Sequence, residues 1–399
     1  MSTLTPEKLA TASPARLLTL PLATLFLAEF SSLTSFFLLL SVMPMLAEAA
    51  GVSSSGAGLM TGSLLLGTVV AEAVATIAIR RFGYRTVIAA GAVLLGPPAL
   101  AMLGHQPQAV MIGVSLVRGL GFGLCGVATA ALTAKLLPPE RRGEGLGLLG
   151  IVSGVPAVVA LPAGVWLAGH HLAAAAAAMA AVAGLLPLVA LRWVPGGREP
   201  RRTSRPARTS GSSRLAVTGL RLPLIFAAAT VAAGVVDSFL PLVKPIPSNL
   251  CSAALLVQAI VATLSRWQAG RYGDRHGHSR FLVPALATAA VGLAALLGLG
   301  SLVLVFAGMA LFGAGFGALE SATFTLLLDQ QPEARASAQW NFAYDAGYGA
   351  GPAVFGLICA RTGYPAAFAL TGALVLAAVP LARRERRADE SRPAGPSAR

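Results

Sequence analysis

Residues 270–280 read GRYGDRHGHSR and residues 79–85 read IRRFGYR. Both stretches are short, basic and closed by Arg-x-Gly, and each stands between two long apolar runs. Aligned on Gly83 and Gly277, the second carries Asp274 where the first carries Arg80, so one charge is reversed. The same turn written twice between apolar runs points to a chain of repeated hairpins, and the rest of the sequence decides what medium those hairpins occupy.

That medium is a lipid bilayer. The 399 residues are 55% hydrophobic and only 12% charged, with a mean hydropathy of +0.73, outside the globular range. Apolar runs of about twenty residues, the length that crosses a hydrocarbon core of ~30 Å, recur over nearly the whole chain. Twelve spans are predicted at 18–46, 57–79, 87–104, 109–136, 145–168, 173–193, 222–242, 249–269, 281–299, 301–328, 337–360 and 364–382. They read as helices because the runs are continuous, whereas a membrane barrel alternates in segments of about ten residues. The first run is too long for a cleaved signal, which points to an uncleaved first helix.

The net charge of +14 raises the question of nucleic acid, and the placement of the thirty basic residues answers it. Twenty-seven fall in the two tails and in every second connection, from Arg80, Arg81 and Arg85 through the run Arg192–Arg221 to Arg266, Arg271, Arg275 and Arg280. Lys244 and Arg361 fall in the alternate connections, and Arg118 lies inside a helix. This is the positive-inside asymmetry of an even number of spans with both termini cytoplasmic. No nucleic-acid partner is expected; the partners expected are the bilayer, a small-molecule substrate and protons. Cys125, Cys251 and Cys359 are scattered, so no disulfide framework, metal site or cofactor is expected.

A fixed offset superposes the two halves. Gly83 and Gly277 are 194 apart, as are the GLGFG run at 119 and the GAGFG run at 313. Pro139-Glu140-x-Arg142 and Pro332-Glu333-x-Arg335 are 193 apart, and Pro156 and Pro352 are 196 apart. The implied fold is all-α: twelve membrane helices in two pseudo-symmetric six-helix bundles. Its expected parts are an N-terminal bundle at 1–193, a basic linker at 194–221, a C-terminal bundle at 222–382 and a basic tail at 383–399. A nucleotide loop at GLGFG fails for want of a preceding strand and a following lysine; glycines there let helices approach closely.

At these motifs the chain resembles the major facilitator superfamily of secondary transporters. Gly270-x-x-x-Asp274-Arg275-x-Gly277 is similar to the family's turn between the second and third helices of a half. Arg118-Gly119-x-Gly121-x-Gly123 is similar to its fourth-helix arginine and glycine pattern. Gly150-x-x-x-Gly154-x-Pro156 looks like a looser form of the helix-5 pattern of drug/proton antiporters, and Gly351-Pro352 in helix 11 keeps the intact dipeptide. The overall pattern is nearest the twelve-helix drug and sugar efflux branch. The resemblance implies proton coupling at Arg118 and a cytoplasmic gate at Arg80, Arg81, Gly83, Gly270, Asp274, Arg275 and Gly277. It also implies packing or hinge roles for Gly121, Gly154, Pro156, Gly351 and Pro352. In the family the turn aspartate latches onto a helix N-terminus of the other half. Asp274 can do so toward helix 5, whereas Arg80 has the wrong sign toward helix 11 unless it meets Asp329 or Glu333, so an asymmetric gate is expected.

Five acids fall within the predicted spans: Glu29, Glu72, Asp237, Glu320 and Asp345. An unpaired charge in hydrocarbon costs several kcal/mol, which makes each a functional candidate. Glu29 and Arg118 both approach the midplane and form the leading coupling pair; the alternative is a structural tie for Arg118 and a hydrogen-bonded neutral carboxyl for Glu29. Asp237 and Asp345 are further proton-coupling candidates. Glu72 and Glu320, nearer the cytoplasmic ends, are expected to pair with loop arginines. Cavity candidates are Glu29, Phe36, Asn341 and Tyr344, while Trp340 reads as an interface residue. With no nucleotide-binding segment and no acid–base–nucleophile group, the expected activity is not enzymatic. It is proton-coupled efflux of a small organic molecule by a multi-pass monomer of the cell membrane. The alternatives are proton-symport uptake of a sugar, organic acid or peptide, and a non-transporting sensor or assembly protein.

Overall fold

The computed structural model describes residues 19–104, 106–137, 142–194, 219–244 and 246–391. Helix α1 spans Leu20–Ala49, α2 Ser54–Phe82, α3 Tyr84–Met102, α4 Gln108–Leu136 and α5 Arg142–Gly169. Helix α6 spans Ala173–Ala190, α7 Arg221–Leu242, α8 Ser248–His276, α9 His278–Gly298 and α10 Leu302–Gln330. In hydrocarbon every backbone N–H and C=O must be satisfied within the chain, so these apolar runs close their hydrogen bonds as helices.

The last apolar stretch, Arg335–Glu390, is 56 residues long and is two crossings. Gly363 interrupts it at φ 76° and ψ 171°, a left-handed φ that glycine takes without steric cost. A continuous helix would hold Phe355 and Phe368 ~20 Å apart at ~1.5 Å per residue. Their ring centroids instead lie 5.1 Å apart, so the chain doubles back. The halves of this hairpin are α11 (333–362) and α12 (364–377), followed beyond Ala378 by α13, Val379–Glu390. The twelve crossings of the sequence reading are thereby present, with ends shifted by several residues: α8 runs on to His276 rather than stopping at 269. Residues 195–218 of the expected linker and 392–399 of the expected tail lie outside the described residues. The rest of that tail is helical, and α13 buries Glu385 where Gln330 donates to it at 2.6 Å and Arg221 approaches to 3.8 Å.

The repeat found in the sequence is a repeat of contacts. A Cβ on Gly119 would strike the Leu64 carbonyl of α2, and one on Gly123 the Thr68 carbonyl. In the other half, 194 residues on, Gly313 meets the Gln258 carbonyl of α8 and Gly317 that of Ala262. The middle glycines face the third helix of each half, Gly121 against Gly91 and Leu95 and Gly315 against Ala285 and Ala289. Side chains of zero size let α4 and α10 each cross two neighbours at backbone contact, as the packing reading of GLGFG expects. The opening turns repeat too: Gly83 at φ 84° and Gly277 at φ 91° are followed by buried Tyr84 and His278.

One end of the bundle carries Arg80, Arg81, Arg275 and Arg335 and is called here the basic end; the other is the far end. The halves are joined in their far portions. Gly58 of α2 receives the Pro352 carbonyl of α11, and Gly356 of α11 lies against Ser54. Ser252 of α8 donates to the Pro162 carbonyl of α5 at 2.5 Å. Ser41 of α1 donates to the Asp237 carbonyl of α7 at 2.5 Å, and Thr61 of α2 meets Ser238 of α7 at 2.9 Å. Among the described residues, the contact between Glu72 and Asp345 is the one nearest the basic end that joins the halves by a hydrogen bond or ion pair.

Candidate functional site

Five ionisable side chains share one layer. Glu29 stands nine residues from the basic end of α1, Glu72, Arg266 and Glu320 ten from the ends of α2, α8 and α10, and Asp345 twelve from the start of α11. At ~1.5 Å per residue each is ~14–18 Å inside the helix end. Two of these groups correct the sequence reading. Glu72 is hydrogen-bonded to Asp345 across the two halves rather than to a loop arginine. Glu320 does meet an arginine at 3.1 Å, yet Arg266 belongs to the interior of α8 and not to the basic turn, so Arg118 is not the one basic residue within the spans.

A carboxylate only accepts hydrogen bonds. Two carboxyls in contact need a proton between them to form a hydrogen bond, and this contact lies across the joint between halves. The positions correspond by the repeat: Arg266 lies 194 residues after Glu72, so the two halves place opposite charges at equivalent points of α2 and α8. Arg266 is 41% exposed and Glu320 13%. A Cβ on Gly154 of α5 would sit 3.7 Å from the Arg266 guanidinium, so this cation lies along the inter-half cleft. That same correspondence was the available signal for Arg266.

Aromatic side chains form the C-terminal wall. Trp340, Tyr344 and Tyr348 recur every fourth residue on α11 and stack at 5.8 and 5.5 Å between centroids, as i, i+4 neighbours on a helix do. Trp340 is packed in the bundle and not held at an interface: it stacks on Phe226 at 4.6 Å and donates to Thr323 at 3.3 Å. Tyr344 lies within electrostatic reach of Glu320, Asp237, Asp345 and Arg266. Asn341, one turn before Asp345 on the same face, is exposed. At the far end of the ladder the Tyr348 hydroxyl donates to Asp237 Oδ2, while the buried Oδ1 has no partner.

The expected pair Glu29 and Arg118 is not brought together. Glu29 accepts a 2.5 Å hydrogen bond from Thr129 of α4. Arg118, fully buried, donates through Nε to the Leu95 carbonyl of α3 at 3.2 Å. Its Nη2 donates to the Ser35 carbonyl of α1 at 2.8 Å and to the Ser35 hydroxyl at 3.3 Å. Arg118 therefore ties α4 to α1 and α3, the structural alternative of the sequence reading. Its partner in the repeat is the buried Phe312. Phe36 is likewise withdrawn from a cavity role here, stacked on Phe122 at 4.2 Å.

At the basic end the Asp274 carboxylate meets His278, the first residue of α9, at 3.2 Å across the Gly277 turn, and among the described residues it meets no group of α5. Arg80 is exposed, and Arg81 lies 5.4 Å from the Phe82 ring. Gly270 and Arg275 stand beside Asp274 in the last turns of α8. Gly351 packs against the Val231 carbonyl of α7. Pro156 lines an apolar cleft of about 540 Å³ between α1, α5 and α6.

Comparison with known proteins agrees with this architecture. The family model described as Major Facilitator Superfamily matches residues 25–338 and 246–398. An uncharacterized MFS-type transporter of Mycobacterium tuberculosis is 29% identical over 363 residues, covering 85% of this chain and 79% of the relative. A bacterial homolog of the human lysosomal transporter Spinster, in an inward-facing and unoccupied conformation, shares the fold with a TM-score of 0.73 at 15% identity, covering 94% of this chain and 98% of that one. A D-xylose-proton symporter does so with 0.71 at 17%, covering 90% and 96%, and the nucleoside transporter NupG with 0.67 at 15%, covering 94% and 100%. Twelve crossings, two bundles repeated contact for contact and a family match over most of the length lead to one conclusion: the chain is a multi-pass membrane transporter that belongs to the Major Facilitator Superfamily.

Proposed function

We propose that the protein is a proton-coupled exporter of a small organic molecule, acting as a monomer in the cell membrane with both termini in the cytoplasm. The observation that carries this reading is the Glu72–Asp345 contact, two carboxyls from different halves that we take to share one proton. Any rocking of one half against the other changes that contact, so the proton and the conformation are linked. Glu29, held by Thr129 at 2.5 Å, and Asp237, with its free Oδ1, are proposed as further proton sites. Asn341 and Tyr344 are proposed to meet the substrate.

The basic end is taken as cytoplasmic from its charge, which makes this conformation inward-open. The outward-open form would require the hydrogen bonds Ser41–Asp237, Thr61–Ser238 and Ser252–Pro162 to break. At a net ~0.5–1.5 kcal/mol each, they hold the far end closed without locking it. At the basic end, Asp274 would exchange His278 for the N-terminus of α5, where an anion is favoured.

Uptake by symport is the second reading, favoured by the loosened Gly150, Gly154, Pro156 pattern. Inside-out vesicles with an imposed pH gradient and a panel of candidate compounds separate the two. In the exporter an added substrate collapses the gradient as protons leave in exchange. A substrate that enters only in company with protons, or a panel that never moves the gradient, contradicts the proposal.

A further inference from the structure

Helix α13 has one face packed on the bundle and the other left without a partner. It follows α12 directly, through Ala378 in the right-handed helical region, so its charged part begins where the last crossing stops. Ala378, Ala382 and Glu385 fall on one face by their spacing, and all three are buried. This face packs on α7 and on the turn His278–Phe281 that starts α9. Glu385 fixes it there. Gln330, the last residue of α10, donates to Oε1 at 2.6 Å, and Arg221, the first of α7, stands 3.8 Å from Oε2.

The opposite face is positive and unmatched. Arg383, Arg384 and Arg387 are exposed and share one side of the helix, three and four residues apart, a spacing at which like charges repel. Among the described residues no carboxylate pairs with any of the three. The acids of α13 are engaged or placed elsewhere: Glu390 is taken by Arg386 at 3.5 Å, and Asp389 stands one turn beyond Glu385 on the packed side. Arg280, exposed in the α9 turn on which α13 packs, adds a fourth cation at this end. The last residues, 391–399, read SRPAGPSAR and bring two more arginines and no acid.

We propose that the arginine face of α13 binds the headgroups of anionic phospholipids in the leaflet at the basic end. The arginines stand just past a membrane crossing, beside the ends of α7 and α10, where headgroups lie. They line an open helix face with no enclosing wall, which suits a membrane surface and not a single enclosed ion. Because Glu385 ties this helix to α7 and α10, lipid held on α13 steadies the basic end of the C-terminal bundle. The site does not depend on the direction or the coupling of transport.

The test uses the full-length protein with phosphatidylglycerol and phosphatidylcholine of the same acyl chains. In native mass spectrometry phosphatidylglycerol should bind at least about ten-fold more tightly than phosphatidylcholine. Each arginine near an anionic surface adds about five-fold, so Arg383→Ala, Arg384→Ala and Arg387→Ala together should weaken phosphatidylglycerol at least about ten-fold. The three side chains are exposed, so melting in phosphatidylcholine should stay unchanged while the gain from phosphatidylglycerol disappears. Arg80→Ala, Arg81→Ala and Arg335→Ala together remove the same charge from other elements of the basic end and should keep both the binding and the gain. A fluorophore on Ser391→Cys, at the end of α13, checks the site with its arginines intact, the three native cysteines being buried. In nanodiscs, brominated phosphatidylglycerol should quench it more strongly than brominated phosphatidylcholine at equal content. Equal binding or equal quenching by the two lipids, or an α13 triple variant that keeps the preference, overturns the site. A control triple variant that loses as much overturns it too, by reducing the effect to overall charge. If heparin or inorganic phosphate binds through these arginines and phosphatidylglycerol does not, the lipid assignment falls.

Discussion

Arg118→Ala should lower the stability of the folded protein by about 3–5 kcal/mol, the range for emptying a large buried site, seen as a lower melting temperature and a smaller yield of monodisperse protein. The side chain is fully buried and holds the Leu95 and Ser35 carbonyls at 3.2 and 2.8 Å, so one fork joins three helices. Its removal leaves a void where α1, α3 and α4 meet. Arg118→Lys should fall between the two, because a single ammonium cannot reproduce a fork that reaches two helices at once. The equivalent position in the other half, Phe312, shows that the repeat needs bulk here and that the charge is particular to the first half. Unchanged melting of Arg118→Ala would contradict the tie. No described carboxylate touches Arg118 in this conformation; the coupling role that the family resemblance implies needs a conformation that brings an acid to it.

Asp345→Asn should act in the opposite way, leaving the fold and removing the coupling. An asparagine can donate permanently to the Glu72 carboxylate, so the inter-half hydrogen bond survives while the releasable proton is gone. Gradient-driven transport of whichever compound passes the vesicle test should fall at least ten-fold, about 1.4 kcal/mol or more in transition-state terms, with melting unchanged. Glu72→Gln should match it, since the proton belongs to the pair and not to either residue. A variant that still transports at the full rate would move the coupling site elsewhere, with Glu29 next in line.

The sequence reading reached the fold because the features that decide it are local and repeated. Arg-x-Gly turns, GLGFG and GAGFG stand at a constant offset, and close helix packing demands glycine at those points whatever the neighbours are. It reached the acids as well, since a carboxyl within an apolar run is conspicuous. Partners were another matter. Glu72 meets Asp345 and Glu29 meets Thr129 through the crossing angles of helices far apart in the chain, which no local pattern encodes. Arg266 falls inside the predicted span 249–269 yet reads with the basic turn because it stands five residues before Arg271 in one run of basic residues, and α8 carries that run on to His276. Asp274 was expected at α5 because the family turn is best known for that latch, while the competing histidine across the Gly277 turn is a property of this chain.

The central claim is that a proton held between Glu72 and Asp345 governs how the halves meet. Spin labels at Phe82→Cys on α2 and Ala338→Cys on α11, both exposed at the basic end, would read that separation directly once Cys125, Cys251 and Cys359 are replaced. Two populations are expected, one with the basic end open and one with it closed. Changing the pH should shift their ratio, because losing the proton sets two carboxylates against each other across the joint. In Glu72→Gln the ratio should no longer depend on pH. A wild-type distance distribution indifferent to pH, or a Glu72→Gln protein that shifts as the wild type does, would contradict the account.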